Sequence, residues 1–223
     1  MCGRFTLTID PLHLQQAFPW AEVPDDLSPR YNIAPSQPVA VIANTGDNRV
    51  TMYKWGLIPS WSKDPSIGDR MINARAESLA EKPSFKNAYR RRRCLILSDG
   101  FYEWKQNPDL KSKQPMYIRM KNANAFAFAG LWEIWHSPDG SEVRSCTIIT
   151  TSPNSLLELI HNRMPVILPP DAYPRWLETE DRQPAQLNDL LVPYPASEMV
   201  TYAVSKMVNR PEYESPELVR PIN

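Results

Sequence analysis

No stretch of this chain stays apolar for the ~20 residues that a membrane-spanning helix needs. The opening residues MCGRFTLTID also lack the basic start and apolar run of a secretory signal. Cysteine is scarce, with only Cys2, Cys94 and Cys146, and no C-x-x-C pair occurs. An odd number of cysteines so spaced supports neither a disulfide framework nor a zinc site. Glycine is scarce too, at 7 in 223 residues, and neither a Walker A motif nor G-x-G-x-x-G is present. That disfavours nucleotide-driven chemistry. Net charge is missing as well, because 25 Lys+Arg offset 25 Asp+Glu. Any polyanion would therefore have to be met by a local patch. These absences describe a cytoplasmic, reduced protein with no metal or cofactor and no membrane association.

What is plentiful is proline, 23 residues spread along the chain, in a composition that is 42% hydrophobic with 7 Trp. Prolines at that density break long helices and favour extended connections. Short β-branched or aromatic runs recur: 38–43, 49–57, 94–98, 101–105, 115–120, 125–135, 146–151, 165–169 and 199–205. Each has strand length and strand composition. SDG between CLIL and FYEWK predicts a tight hairpin turn, and SPDG at 137–140 predicts a second. Helices are expected over 11–18, 74–80, 84–91, 154–160, 171–179 and 186–191, with Asn154 or Ser155 capping the fourth. Strands dominate without regular helix alternation. The fold expected is α+β, a single domain over 1–223 with a largely antiparallel, barrel-like sheet core surrounded by short helices.

Several side chains are candidates for chemistry. Cys2 is either a small residue that permits methionine removal or, once Met1 is gone, a terminal aminothiol. Such an α-amine titrates near ~8, so part of it is neutral and nucleophilic at cellular pH. It can condense with an aldehyde, and the adjacent thiol can close a five-membered ring. His161 sits between a predicted helix and a strand in LELIHNRMPVIL, where loops build sites. Glu103, among aromatics in FYEWK, points to solvent or points inward as an acid/base group. Asn73, Arg75 and Glu77 share a face if extended, whereas Asn73 is an N-cap if a helix starts at Ala74. Arg90 to Arg93 form an uninterrupted basic run, either a solvated face or part of a phosphate path. Arg4, Arg30, Arg75 and Arg163 adjoin other candidates. With Tyr31, Trp55, Trp61 and Trp104 they have the composition of a single-strand-binding surface.

The blocks MCGRF, RYNIAPSQ, KWGLIPSW, INARAES, CLILSDGFYEWK, IHNRMPVIL and VSKMVN follow one another along the chain. In that order they resemble the SRAP family, the SOS-response-associated peptidase-like proteins. The resemblance implies binding of single-stranded DNA and capture of abasic sites by the mature N-terminal cysteine. The product is a thiazolidine cross-link that shields the lesion. It implies Cys2 as nucleophile, Asn73 orienting the terminus, Glu103 moving protons on the amine and Schiff base, and His161 beside the sugar. Arg75, Arg163 and Arg4 match phosphate-binding arginines, Asn32 and Pro35 the loop beside the lesion, and Trp61 an aromatic near unstacked bases. One departure is Ser62, where some relatives carry a second tryptophan. The expected state is a monomer in the cytoplasm, at the nucleoid in a bacterium. The competing readings are a cysteine peptidase acting on its own N-terminus or on other proteins, and a non-covalent reader of modified bases.

Overall fold

The computed structural model describes residues 2–106 and 112–222. In chain order the strands are β1 (Arg4–Leu7), β2 (Arg30–Ile33), β3 (Pro38–Ala43), β4 (Val50–Trp55), β5 (Asn73–Arg75), β6 (Arg93–Ser98), β7 (Gly100–Gln106), β8 (Lys113–Met120), β9 (Phe126–His136), β10 (Glu142–Thr151), β11 (Met164–Pro165), β12 (Ile167–Leu168) and β13 (Met199–Ala203). The helices are α1 (Pro11–Ala17), α2 (Pro83–Arg91) and α3 (Tyr173–Trp176), and several single 3-10 turns join them. Each helix carries proline in its first turn, where the missing N–H has no intrahelical acceptor to lose.

Strands β4, β3, β6, β9 and β10 pair in succession, and β10 then pairs with β4, which closes a barrel. The closing pair and the β5–β10 pair are parallel, and the other pairings among named strands are antiparallel. This is the α+β, barrel-centred architecture expected from the sequence. A second sheet runs β13-β8-β7-β1-β2 and lies between the barrel and the C-terminal segment. Phe5 of β1 meets Trp55 and Phe128 of the barrel edge-on at 5.0 and 5.6 Å, and Phe101 of β7 meets Phe128 at 5.9 Å. Such edge-on pairs contribute about 1 kcal/mol each beyond area burial. The opposite face, Tyr102 and Tyr117, packs against Val204, Val208 and Leu218. Strand alternation between these covered faces determines where β7 sends each side chain.

Several expectations need correction. CLIL and FYEWK do not form a hairpin: β6 pairs with β3 and β9, whereas β7 pairs with β1 and β8. The SDG turn is buried and passes the chain from barrel to second sheet. Asp99 accepts hydrogen bonds from the Thr6 and Thr8 hydroxyls (2.5 and 2.6 Å) and from the Thr8 and Ile9 amides. Gly100 is obligatory there, since a Cβ would lie 2.1 Å from the Tyr117 hydroxyl. The SPDG hairpin does form, joining β9 to β10.

NSLLELI is a series of turns and not a helix. Asn154 does cap it, accepting from the Leu156 and Leu157 amides, but the segment is too short to repay helix nucleation. Residues 73–75 are extended and only 76–78 coil, as a 3-10 turn. Asn73 is therefore a strand residue and not a cap. The 186–191 segment is likewise two 3-10 turns, over Pro184–Gln186 and Asn188–Leu190. Trp55 is wholly buried and donates to the Ile72 carbonyl at 2.9 Å, so it cannot line a binding surface.

The arginine run is tied into the fold by ion pairs and, at its end, by burial. Arg90 and Arg91 pair with Asp181, and Arg92 pairs with buried Glu133 at 2.8 Å. Arg93 is fully buried, donating to the carbonyls of Trp176, Tyr89, Arg90, Glu178 and Glu180. The run fastens the 176–181 segment to the barrel.

Candidate active site around Cys2

Cys2 enters β1 wholly buried, its thiol 3.9 Å from the Arg4 carbonyl. Burial, and then the nearby Glu103 carboxylate, pushes the thiol well above its ordinary pKa. It is held as a neutral thiol. The Asn73 side-chain amide donates to the Cys2 carbonyl at 2.8 Å. The amide oxygen Oδ1 of Asn73 is buried and accepts no hydrogen bond from the described residues. β5 delivers Asn73 because it runs parallel to β10 in the register Ile148↔Asn73, with Ala74 buried in the core between Asn73 and Arg75.

Glu103 comes from β7, adjacent to β1 in the register Arg4↔Tyr102. Alternation turns Phe101 and Glu103 away from the tyrosine face, and Glu103 is 2% exposed. Burial raises its pKa, opposed in part by the Trp104 amide that donates to it and more weakly by Lys113. A carboxyl group in this setting exchanges a proton nearer to neutrality than an exposed one does.

The loop between β10 and β11 supplies His161 and Arg163. The Arg163 amide donates to Nδ1 of His161 at 3.1 Å, which assigns the ring proton of the neutral imidazole to Nε2. Burial lowers the His161 pKa, so the ring is neutral at pH 7. The Arg163 guanidinium makes a two-pronged ion pair with Glu77, at 2.6 and 2.9 Å, and donates to the Thr150 carbonyl at 2.6 Å. Its Nε is buried with no acceptor among the described residues. Thr150 is the register partner of Arg75. Arg75 is exposed and joins no ion pair among the described residues.

The other candidates occupy different settings. Arg4 donates to Asn32 Oδ1 and the Val208 carbonyl, both at 2.7 Å. Asn32 is buried, and its amide donates to the carbonyls of Val208, Arg210 and Tyr213. The Arg4–Asn32 pair therefore ties the second sheet to the C-terminal segment. Pro35 is half-buried in the turn after β2, next to Ser36, which has φ 68° and donates to Asp69 at 2.7 Å. Trp61 is 60% exposed in the loop after β4 and makes no hydrogen bond among the described residues. That loop is shaped by Gly56, whose φ of 132° and close approach to the Gly68 carbonyl leave no room for a Cβ.

Thr150, whose carbonyl accepts from Arg163, carries no signal in the sequence, and Glu77 stood out there only by its two-residue spacing from Arg75. Among the described residues no group of His, Cys, Asp and Glu side chains is arranged to hold a metal ion, and no helix is long and apolar enough to cross a membrane.

Comparison with known proteins follows the same outline. The family model described as SOS response associated peptidase (SRAP) matches residues 1–211. The abasic site processing protein YoqW of Bacillus subtilis (strain 168) is 49% identical over 98% of this chain and 99% of its own length. The abasic site processing protein HMCES of Pongo abelii is 30% identical over 94% of this chain and 70% of its own. A crystal structure of a Bacteroides thetaiotaomicron protein superposes with a TM-score of 0.88 at 27% identity, covering 100% of both chains.

Proposed function

The chain belongs to the SOS response associated peptidase family, and we propose that it processes abasic sites in single-stranded DNA by covalent capture at Cys2. Removal of Met1 gives Cys2 an α-amine beside its thiol. The neutral amine attacks the aldehyde carbon of the ring-opened sugar to form a carbinolamine, which loses water to give a Schiff base. The thiol then adds across the C=N bond, its proton passing to nitrogen, and a thiazolidine closes with one water lost overall.

The observation that carries this reading is the Asn73 amide holding the Cys2 carbonyl beside buried Glu103. An amine that must meet an aldehyde needs a fixed terminus and a group that removes and returns protons as water leaves. Asn73 Oδ1, buried and without a donor among the described residues, is suited to accept from the new amine. Glu103 serves the carbinolamine, and His161 Nε2–H is suited to hydrogen-bond the sugar ring oxygen as the ring opens. Arg75 and Arg163 hold flanking phosphates, which position a strand without reading its sequence. A baseless nucleotide enters such a site with less unstacking cost than a paired one. Burial of the Cys2 side chain disfavours a thiolate and so supports the amine as the first nucleophile.

The test mixes the mature protein with an oligonucleotide carrying one abasic site and resolves the products under denaturing conditions. A stable shifted band is expected, replaced by at most a labile Schiff base in Cys2→Ala and Cys2→Ser, which keep the α-amine but lack the thiol. No band from protein shown by mass spectrometry to lack Met1 would overturn the proposal.

A further inference from the structure

We propose that Glu77 is a specificity-determining residue, a resident carboxylate that occupies the Arg163 guanidinium until a DNA phosphate displaces it. The inference rests on the reading of Arg163 as a phosphate ligand, and it concerns what that arginine does before DNA arrives. In the structure Arg163 is engaged: both terminal nitrogens hold the Glu77 carboxylate, one also reaches Thr150, and Nε faces no acceptor among the described residues. A phosphate presents the same fork of two oxygens that the carboxylate does. It can therefore take over the guanidinium only by replacing Glu77.

The two partners differ in a way that permits this exchange. The Arg163 side chain is 15% exposed and its stem is fixed, whereas the Glu77 side chain is 58% exposed on a 3-10 turn. The acid can rotate into water while the base stays in place. Glu77 also follows Arg75 by two residues, and the Arg75 charge reaches it. One carboxylate thus offsets the field of two arginines beside His161. The consequence is weak attraction for intact strands. Retention of the lesion then depends on the covalent step rather than on prior affinity.

Salt dependence reports the exchange directly. A phosphate bound by an unpaired arginine releases counterions, steepening log K against log salt by about 0.7 per contact on single strands. An arginine that must first give up a carboxylate leaves that carboxylate to recruit a cation, which cancels most of the release. The experiment measures binding of an intact single-stranded oligonucleotide, with no abasic site, by wild type and by Glu77→Gln across a salt series. The expected result is a slope steeper by about 0.7 in Glu77→Gln and affinity about tenfold tighter at low salt. In an Arg163→Gln background, adding Glu77→Gln is expected to leave the slope unchanged. An unchanged slope in the single variant, or weakened binding, would overturn the proposal and make Glu77 a support for the loop. Thermal melts of each variant confirm that the fold is intact. Because the probe contains no aldehyde, failure of this exchange is distinguishable from failure of covalent capture, which the abasic oligonucleotide tests separately.

Discussion

At the scale of single residues, Glu103 trades stability for chemistry. Its carboxyl is buried and its pKa is raised by that burial. Below the ordinary carboxylate range both folded and unfolded chains are protonated and no cost arises. As pH rises through the raised value, the fold must either hold the proton or bury a charge, and stability falls relative to the unfolded chain. In protein retaining Met1, Glu103→Gln is therefore expected to melt higher than wild type at pH 7 and equally at pH 3, as calorimetry would show. In mature protein the same substitution is expected to slow cross-linking by about 100-fold or more. His161 has the opposite sign. Its lowered pKa means that acid favours the unfolded chain, so its contribution is lost as pH falls through the ordinary imidazole range. Asn73→Ala removes one hydrogen bond, worth about 1 kcal/mol of stability. By loosening the terminus it is expected to slow capture by about tenfold or more in a time course of band formation.

At the scale of elements, much of the strand layout was legible because β-branched and aromatic runs bounded by proline and turn residues are local signals. PVAVIA past Pro38 and CLILS are buried along β3 and β6 and could scarcely be anything but central strands. Partnership was not legible. CLILS and FYEWK are neighbours in sequence, but what separates them into two sheets is the demand of the Thr6 and Thr8 groups for the Asp99 carboxylate, about 90 residues upstream in the chain. The inward face of Glu103 followed from alternation once Phe101 was placed. The resemblance, more than any spacing, brought Asn73 and Cys2 together, because the β5–β10 pairing that joins them is a parallel contact of high sequence separation. The buried turn yields a sharp expectation. Gly100→Ala places a methyl group within the Tyr117 ring and is expected to cost about 3 kcal/mol or more in a denaturant titration. Adding Tyr117→Phe should recover only part of it, since ring carbons crowd the same Cβ.

At the scale of the whole molecule, zero net charge conceals a division of labour among cations. The contiguous arginines, the most conspicuous basic feature of the sequence, are consumed by Asp181, Glu133 and backbone carbonyls. The arginines offered here to DNA are scattered ones gathered by topology. Ion-pair partners far along the chain, Glu133 for Arg92 and Asp181 for Arg90 and Arg91, leave no trace in a local charge count. Arg93→Met is accordingly expected to destabilise the fold by about 3 kcal/mol while leaving the salt slope of DNA binding unaltered; Arg75→Ala is expected to do the reverse.

The fastening of β1 also sets an order of events during synthesis. Cys2 lies at the head of β1, and Arg4 of that strand and Asn32 of its partner β2 are anchored on carbonyls of Val208, Arg210 and Tyr213. At about 5–20 residues per second, those anchors emerge from the ribosome tens of seconds after the amino terminus. For that interval Cys2 lies on an unanchored chain, and once the anchors seat it is enclosed. If capture at Cys2 requires loss of Met1, as proposed, nascent chains stalled before Val208 should lose it faster to an aminopeptidase than refolded full-length protein does, as mass spectrometry would show. Translation and folding then run against each other, with the last segment made closing over the first.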